Sequence, residues 1–134
     1  MRHTTMLAVL VSVLWSSLGT LAAAQGLSPE RFVRADIEAR EATLVGMEAR
    51  LALLQRHADN ATQEQLEDVN RRRVTTVFTR YGTTGSAHAA YGTQHRTAIA
   101  AWLEAHPEWQ RRYAAVAARF DQLSQQIDAV VKGH

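Results

Sequence analysis

The last quarter of the chain carries a regular repeat of large apolar residues. Their spacing alternates between four and three, and the residues are Trp109, Tyr113, Val116, Phe120, Leu123, Ile127 and Val130. This spacing is typical of an amphipathic helix that buries one stripe against partner helices. Pro107 is suited to open that helix, and Gly133 follows its end. The repeat therefore predicts a long C-terminal helix that needs other helices beside it.

Three more helices are predicted before it. Ser28 ahead of Pro29 is an N-cap signal, and the first helix is predicted to run to about Ala58. A capping box at Thr62-x-x-Gln65 predicts the start of the second helix. The third is predicted from Ala87 to Ala105, after a turn in the glycine- and hydroxyl-rich segment 82–86.

Four amphipathic helices joined by short links favour one all-α domain over residues 25–134, an antiparallel bundle of about four helices. The alternative is a long helical hairpin or a dimer. Because the first and last helices are longer than the middle two, their ends are expected to project, where they would pair with another copy or a partner.

The first 24 residues have the pattern of an export signal. Met1-Arg2-His3 is a positive start, Met6 to Leu14 is almost unbroken apolar sequence, and Leu21-Ala22-Ala23-Ala24 supplies small residues ahead of Gln25. We therefore predict a signal peptide over residues 1–24, cleavage between Ala24 and Gln25, and a periplasmic or secreted product. An uncleaved membrane anchor over Met6 to Ala24 is the alternative, because that stretch would span about 30 Å as a helix.

Composition narrows the possible chemistry. The chain has no cysteine, which excludes disulfides, thiolate metal sites and cysteine nucleophiles. Its formal net charge is only +2, so the charge of the chain as a whole does not indicate binding to nucleic acid. Arginine accounts for all but one of its lysine and arginine residues. No nucleophile elbow, phosphate loop or zinc-protease helix is present. We predict no catalytic residue, no metal site and no cofactor.

One segment has an unusual charge distribution. Residues 69–103 contain no aspartate or glutamate, and arginine's forked donors suit carboxylate or phosphate partners. Helical projection places several cationic or polar side chains of this segment and of the first helix on inward arcs. The residues of this hypothetical anion site are Arg40, Arg73, Arg80, His88, Tyr91 and His95. The alternatives are arginines paired with glutamates across the bundle and neutral histidines in the core.

Two functions follow from these patterns. The first is a non-enzymatic exported protein that binds another protein of the cell envelope, as an adaptor, chaperone or inhibitor does, with a homodimer as a further alternative. The second is a small-anion-binding protein or an enzyme that uses its inward arginines and histidines in the manner of exported helical chorismate mutases. The unbroken apolar seam of the last helix favours the first function.

Overall fold

The structure is a computed structural model, and it describes residues 26–133. The predicted signal peptide and its cleavage site lie outside the described residues. The part of the chain that the structure describes is all-helical, without a strand, as predicted. Its five helices are α1 (Pro29–Gln55), α2 (Asn60–Arg80), α3 (Gly85–Gln94), α4 (Arg96–Glu104) and α5 (Pro107–Lys132).

Side chains cap the first three helices. Ser28 Oγ accepts a hydrogen bond from the backbone N–H of Arg31 at 3.2 Å, which confirms the predicted start of α1. Thr84 Oγ1 caps α3 in the same way, accepting from the Ala87 N–H at 3.1 Å. The prediction for α2 is wrong by three residues. Its N-cap is Asp59, because the Asp59 carboxylate accepts from the Thr62 N–H at 2.7 Å.

The predicted third helix is two helices. His95 interrupts it with φ −121° and ψ 29°, and α4 begins at the next residue. The His95 ring bonds back to the carbonyl oxygen of Tyr91, with Nδ1 3.0 Å away, and its backbone N–H donates to that same oxygen at 2.9 Å. Both α3 and α4 contact α1.

The three long helices form one layer with α1 in the middle. Within residues 26–133, α1 packs against both α2 and α5, whereas α2 and α5 do not contact each other. α2 is antiparallel to α1, since Tyr81 lies beside Glu38 while Asn70 lies beside Gly46. α5 runs parallel to α1, because Arg112 bonds to Glu41 and Arg119 bonds to Glu48. The predicted antiparallel arrangement therefore holds for α2 and is wrong for α5.

The short helices α3 and α4 form an incomplete second layer. They pack on the N-terminal half of α1, where Val33, Ile37 and Ile99 form the buried core. Aromatic residues surround that core and are partly buried: Phe32, Tyr91, Trp102, Trp109 and Tyr113. α2 already ends beside the start of α1, where Arg31 donates to the Tyr81 carbonyl oxygen, and α3 and α4 carry the chain over α1 at that same end. The parallel packing of α5 follows from this crossing.

A candidate protein interface on the helical layer

Within residues 26–133, no second layer lies above the C-terminal half of α1. Phe32, which α3 covers, and Thr43 are eleven residues apart, close to three full turns, so both point to the same side of α1. Beyond Thr43 that side is open. We call this surface the open face. Its floor on α1 is Thr43, Met47 and Arg50, its α2 wall is Glu67, Asn70, Arg71 and Val74, and its α5 wall is Phe120, Ser124, Ile127, Asp128 and Val131.

The α5 wall exposes large apolar side chains. Phe120 is 46% exposed and Val131 is 51% exposed, whereas Leu123, from the same heptad repeat, is completely buried. Ile127 and Met47 beside them are half-buried. Apolar surface of this kind marks an interaction site more often than isolated exposed residues do. The α5 stripe is thus only partly covered by α1.

The α2 wall is held close to the floor by a glycine. The Asn70 side-chain amide donates to the Gly46 carbonyl oxygen at 3.3 Å. A Cβ atom at position 46 would lie only 2.6 Å from Asn70 Cγ, so this approach needs glycine or a displaced Asn70. Arg73 donates to Asn70 Oδ1 at 3.0 Å and so orients the amide. The wall and floor are therefore positioned by one small polar network.

The open face carries charges of both signs. Arg50 lies on the floor between the α2 wall and the α5 wall. It makes no ion pair with any residue in 26–133. Glu67 lines the α2 side of Arg50 and likewise makes no ion pair with a residue of that range. Asp128 on the opposite wall pairs with Lys132 at 2.8 Å, and both side chains are well exposed. The floor cation is thus available to a carboxylate from outside the chain.

The other side of the layer is polar and internally paired. A shallow groove there is lined by Glu38, Glu41, Arg73, Arg80 and Arg112 among others. Arg112 pairs with Glu41 at 2.6 Å, and Arg80 approaches Glu38 Oε2 at 3.3 Å. That oxygen is buried and makes no hydrogen bond of good geometry, so the guanidinium contact is what compensates its charge. We call this surface the charged face.

A phenol completes the charged face. Tyr81 Oη donates to Glu38 Oε1 at 2.7 Å. Burial, followed by this hydrogen bond and the charge of Glu38, raises the pKa of Tyr81 above its ordinary value. The carboxylate of Glu38 is therefore shared between a phenol and a guanidinium of α2's C-terminal end.

The six residues of the hypothetical anion site do not line one common groove, although His88 and Tyr91 both stack on the Phe32 ring. Arg73 and Arg80 line the charged face beside carboxylates. Arg40 pairs with Asp36 at 2.9 Å and lies over the ring of Tyr113. Tyr91 and His95 stack on each other, with ring centroids 4.0 Å apart, beside a cleft at the α2–α3 turn. His88 is buried between Phe32 and Phe78.

The predicted inward orientation is right for His88 and wrong for Arg40 and His95, which are exposed. Arg80, at the edge of the apolar arc of its helix, is exposed as well. Arg40 lies between the sides of α1 that contact α2 and α5, and its guanidinium lies over the Tyr113 ring of α5, outside the core. Its partner is instead Asp36, one turn away on the same helix. Burial raises the pKa of Tyr91, although its ring is only partly covered.

The open face was missed by the sequence patterns because its residues occupy seam positions. Met47, Phe120 and Ile127 match the apolar repeats of α1 and α5, and a repeat predicts which side of a helix is apolar without saying what covers it. The one available signal was the greater length of the first and last helices, which exceeds what α3 and α4 can cover.

No group of three or more histidine, aspartate or glutamate side chains in residues 26–133 has the placement to hold a metal ion. Of the helices in that range, none is long and apolar enough to cross a membrane. In comparisons with known proteins, no family model, no curated sequence and no solved structure matches this chain.

Proposed function

We propose that this chain is an exported, non-enzymatic protein that binds another protein through the open face. The observation that carries the proposal is the half-covered layer of α1, α2 and α5. Helical layers in soluble domains are stable when a second layer covers their apolar side. Here α3 and α4 supply that layer for the N-terminal half only. A partner protein would supply the second layer over the C-terminal half of α1.

The open face has the composition of a protein interface. Its apolar part is Met47 on the floor together with Phe120 and Val131 on the α5 wall, which are about half exposed, and Arg50 on the floor lies beside them. Burying the exposed half of such a side chain contributes about 1 kcal/mol. Several of them together, with a charge pair at the floor, supply the driving force for specific association.

The alternative function, small-anion binding, requires guanidinium groups that are free to take a ligand. Arg80 and Arg112 on the charged face are already beside Glu38 and Glu41, and Arg40 is beside Asp36. A bound anion would have to displace these carboxylates. The geometry supports the protein-binding function better.

The export part of the proposal rests on residues 1–24 and has a direct test. The full sequence would be expressed in a bacterium with a general export pathway, and the mass of the product would be measured in each fraction. We expect an exported chain that begins at Gln25. A product that keeps Met1 and stays with the membrane fraction contradicts this and supports the anchor.

The binding part is tested by site-specific photo-crosslinking. A photoreactive phenylalanine analogue replaces Phe120 on the open face in one variant and Ala118 in the other, since Ala118 is exposed on α5 and does not line the face. After irradiation of the exported chain in cells, we expect a protein adduct at position 120 and none at position 118. Equal adducts at both positions, or none at either, would contradict the proposal.

A further inference from the structure

We infer that the protein covering the open face is a second copy of this chain, and that the two copies are related by a two-fold axis. This inference rests on the proposed function, for which it names the partner. It would make the exported protein a homodimer in which the open faces of both copies pack on each other, so that three helices from each copy form one core.

The shape of the described residues favours a second copy as the occupant of the open face. Residues 26–133 form two layers over the N-terminal half of α1 and a single layer beyond Thr43. The uncovered part of α1, residues 43–55, is about 20 Å long at 1.5 Å per residue. This makes a stepped profile. Two copies fit each other when their open faces meet and their α1 helices run antiparallel. The second layer of each copy, α3 and α4, then lies beyond the C-terminal end of the other copy's α1.

The distribution of apolar side chains on the open face also favours a second copy. A two-fold interface is self-complementary, so each copy must bring both the groove and the residues that fill it. The open face meets this condition. Met47 on the floor forms part of the groove, while Phe120 and Val131 project from the α5 wall. An α5 helix laid across the partner's α1 would bury these side chains on both copies at once.

The charges of Arg50 and Asp128 are complementary across such an interface. Arg50 on the floor has no ion pair with a residue of 26–133, and Asp128 on the α5 wall is held only by the exposed Lys132. An exposed pair one turn apart contributes little, so Asp128 can exchange its partner at small cost. A two-fold axis that brings Arg50 against Asp128 of the partner subunit makes the same contact twice.

The size of the open face sets the expected affinity. Three helices with axes 8–10 Å apart and about 20 Å long present roughly 500–600 Å² on each copy. Two copies would bury about 1,000–1,200 Å², the lower end of the range for specific interfaces. We therefore expect a reversible dimer with a dissociation constant in the micromolar range, and not a permanent one.

The experiment is sedimentation velocity on the processed chain recovered after expression of the full sequence. We expect a monomer–dimer equilibrium with its midpoint at micromolar concentration. Arg50→Glu and Asp128→Lys each place like charges together twice in a homodimer, so each alone is expected to weaken dimerisation at least about tenfold. The matched control is Arg111→Glu, which reverses an exposed arginine of α5 that does not line the open face and should leave the equilibrium unchanged.

Mixing the two charge-reversal variants gives the decisive measurement. In a mixed dimer, the two introduced side chains, which carry opposite charges, would face each other at one contact. At the other contact the original Arg50 of one copy would face the original Asp128 of the other. A one-to-one mixture is therefore expected to recover dimers that neither variant forms alone. A mixture that stays monomeric, while the unmodified chain dimerises, places the interface elsewhere and overturns the inference.

The outcomes also separate this inference from the proposed function. A chain that stays monomeric up to about 1 mM overturns the homodimer. If position 120 still crosslinks to a different protein, the proposed function stands without it. A monomeric chain with no adduct at position 120 contradicts both proposals.

Discussion

The imidazole of His88 stacks on the phenyl ring of Phe32, with ring centroids 4.1 Å apart and planes inclined by 8°. His88 Nε2 also lies 3.1 Å from the Phe32 carbonyl oxygen, so ring and backbone of the same residue hold it. Through this contact α3 is fixed on α1. His95, one heptad later, lies outside the core and stacks on Tyr91 of its own segment.

The two histidines are therefore expected to differ in their contribution to stability. His88→Ala removes a buried ring and its hydrogen bond, and we expect it to lower the free energy of unfolding by about 2–3 kcal/mol. His95→Ala should lower it by less than about 1 kcal/mol, because its ring is exposed. Urea unfolding of both variants checks this. Equal losses would show that His95 is as much a part of the core as His88.

Tyr113 joins α5 to α1, and this contact predicts a stability change at high pH. Its Oη donates to Asp36 Oδ2 at 2.7 Å. Burial, together with this hydrogen bond and the Asp36 charge, raises the pKa of the Tyr113 phenol well above its ordinary value. The folded state thus favours the neutral phenol. That stabilisation is fully present below the ordinary tyrosine pKa of about 10 and is lost as pH rises above it.

Tyr113→Phe is the matching variant. Near pH 7 it should be less stable than the unmodified chain by about 1 kcal/mol, the usual value of one hydrogen bond. Above pH 10 the unmodified chain loses the contribution of Tyr113, and the variant has none to lose, so the difference should shrink. The free energy of unfolding at pH 7 and pH 11 measures it. A difference that stays constant with pH would contradict the assigned cause.

The local features of the fold could be predicted from the sequence. Ser28 caps α1 and Pro107 begins α5, as expected, because caps and first-turn prolines act through neighbouring residues alone. The direction of α5 could not be predicted in this way. It depends on His95, whose backbone breaks a helix that the apolar pattern describes as continuous, and so on a crossing that only tertiary packing defines.

The candidate site shows the same limit. Arg40 occupies a seam position of α1, and the projection could not show that two helices contact α1 on opposite sides and leave Arg40 between them. For Phe120 the apolar side of the helix was predicted correctly, but the neighbouring helices leave part of that side exposed. In both cases the periodicity identified the side of the helix, and the missing information was the number and position of its neighbours.

Gly92 makes room for the Phe32 ring. A Cβ atom built at Gly92 would lie 2.8 Å from Phe32 Cζ, closer than side chains approach. Gly92→Ala gains up to about 1 kcal/mol of helix propensity but must displace a ring that also supports His88. We expect a net loss of about 1–2 kcal/mol in thermal or urea unfolding.

Gly85→Ala, in the same helix, is the control for Gly92→Ala. Its added Cβ would lie 3.7 Å from Phe78, an ordinary contact distance, so we expect little change or a small gain in stability. If both alanines stabilise the chain equally, the Phe32 ring has room to move, and the close packing of α3 on α1 is not required.

Leu123 and Phe120 occupy successive positions of one heptad stripe, yet only Leu123 is buried within the single chain. At a concentration where the chain is monomeric, Leu123→Ala should lower the free energy of unfolding by about 2–4 kcal/mol, because it leaves a cavity between α1 and α5. Phe120→Ala should lower it by no more than about half as much, because water already reaches nearly half of the ring.

Raising the protein concentration should change this comparison. A partner copy that binds only the folded chain stabilises it by mass action, and Phe120→Ala removes part of that contact. The unmodified chain and Leu123→Ala should therefore unfold at higher temperature as concentration rises through the micromolar range, while Phe120→Ala should gain less. A Phe120→Ala variant that gains as much as the unmodified chain would show that the α5 wall does not form the interface.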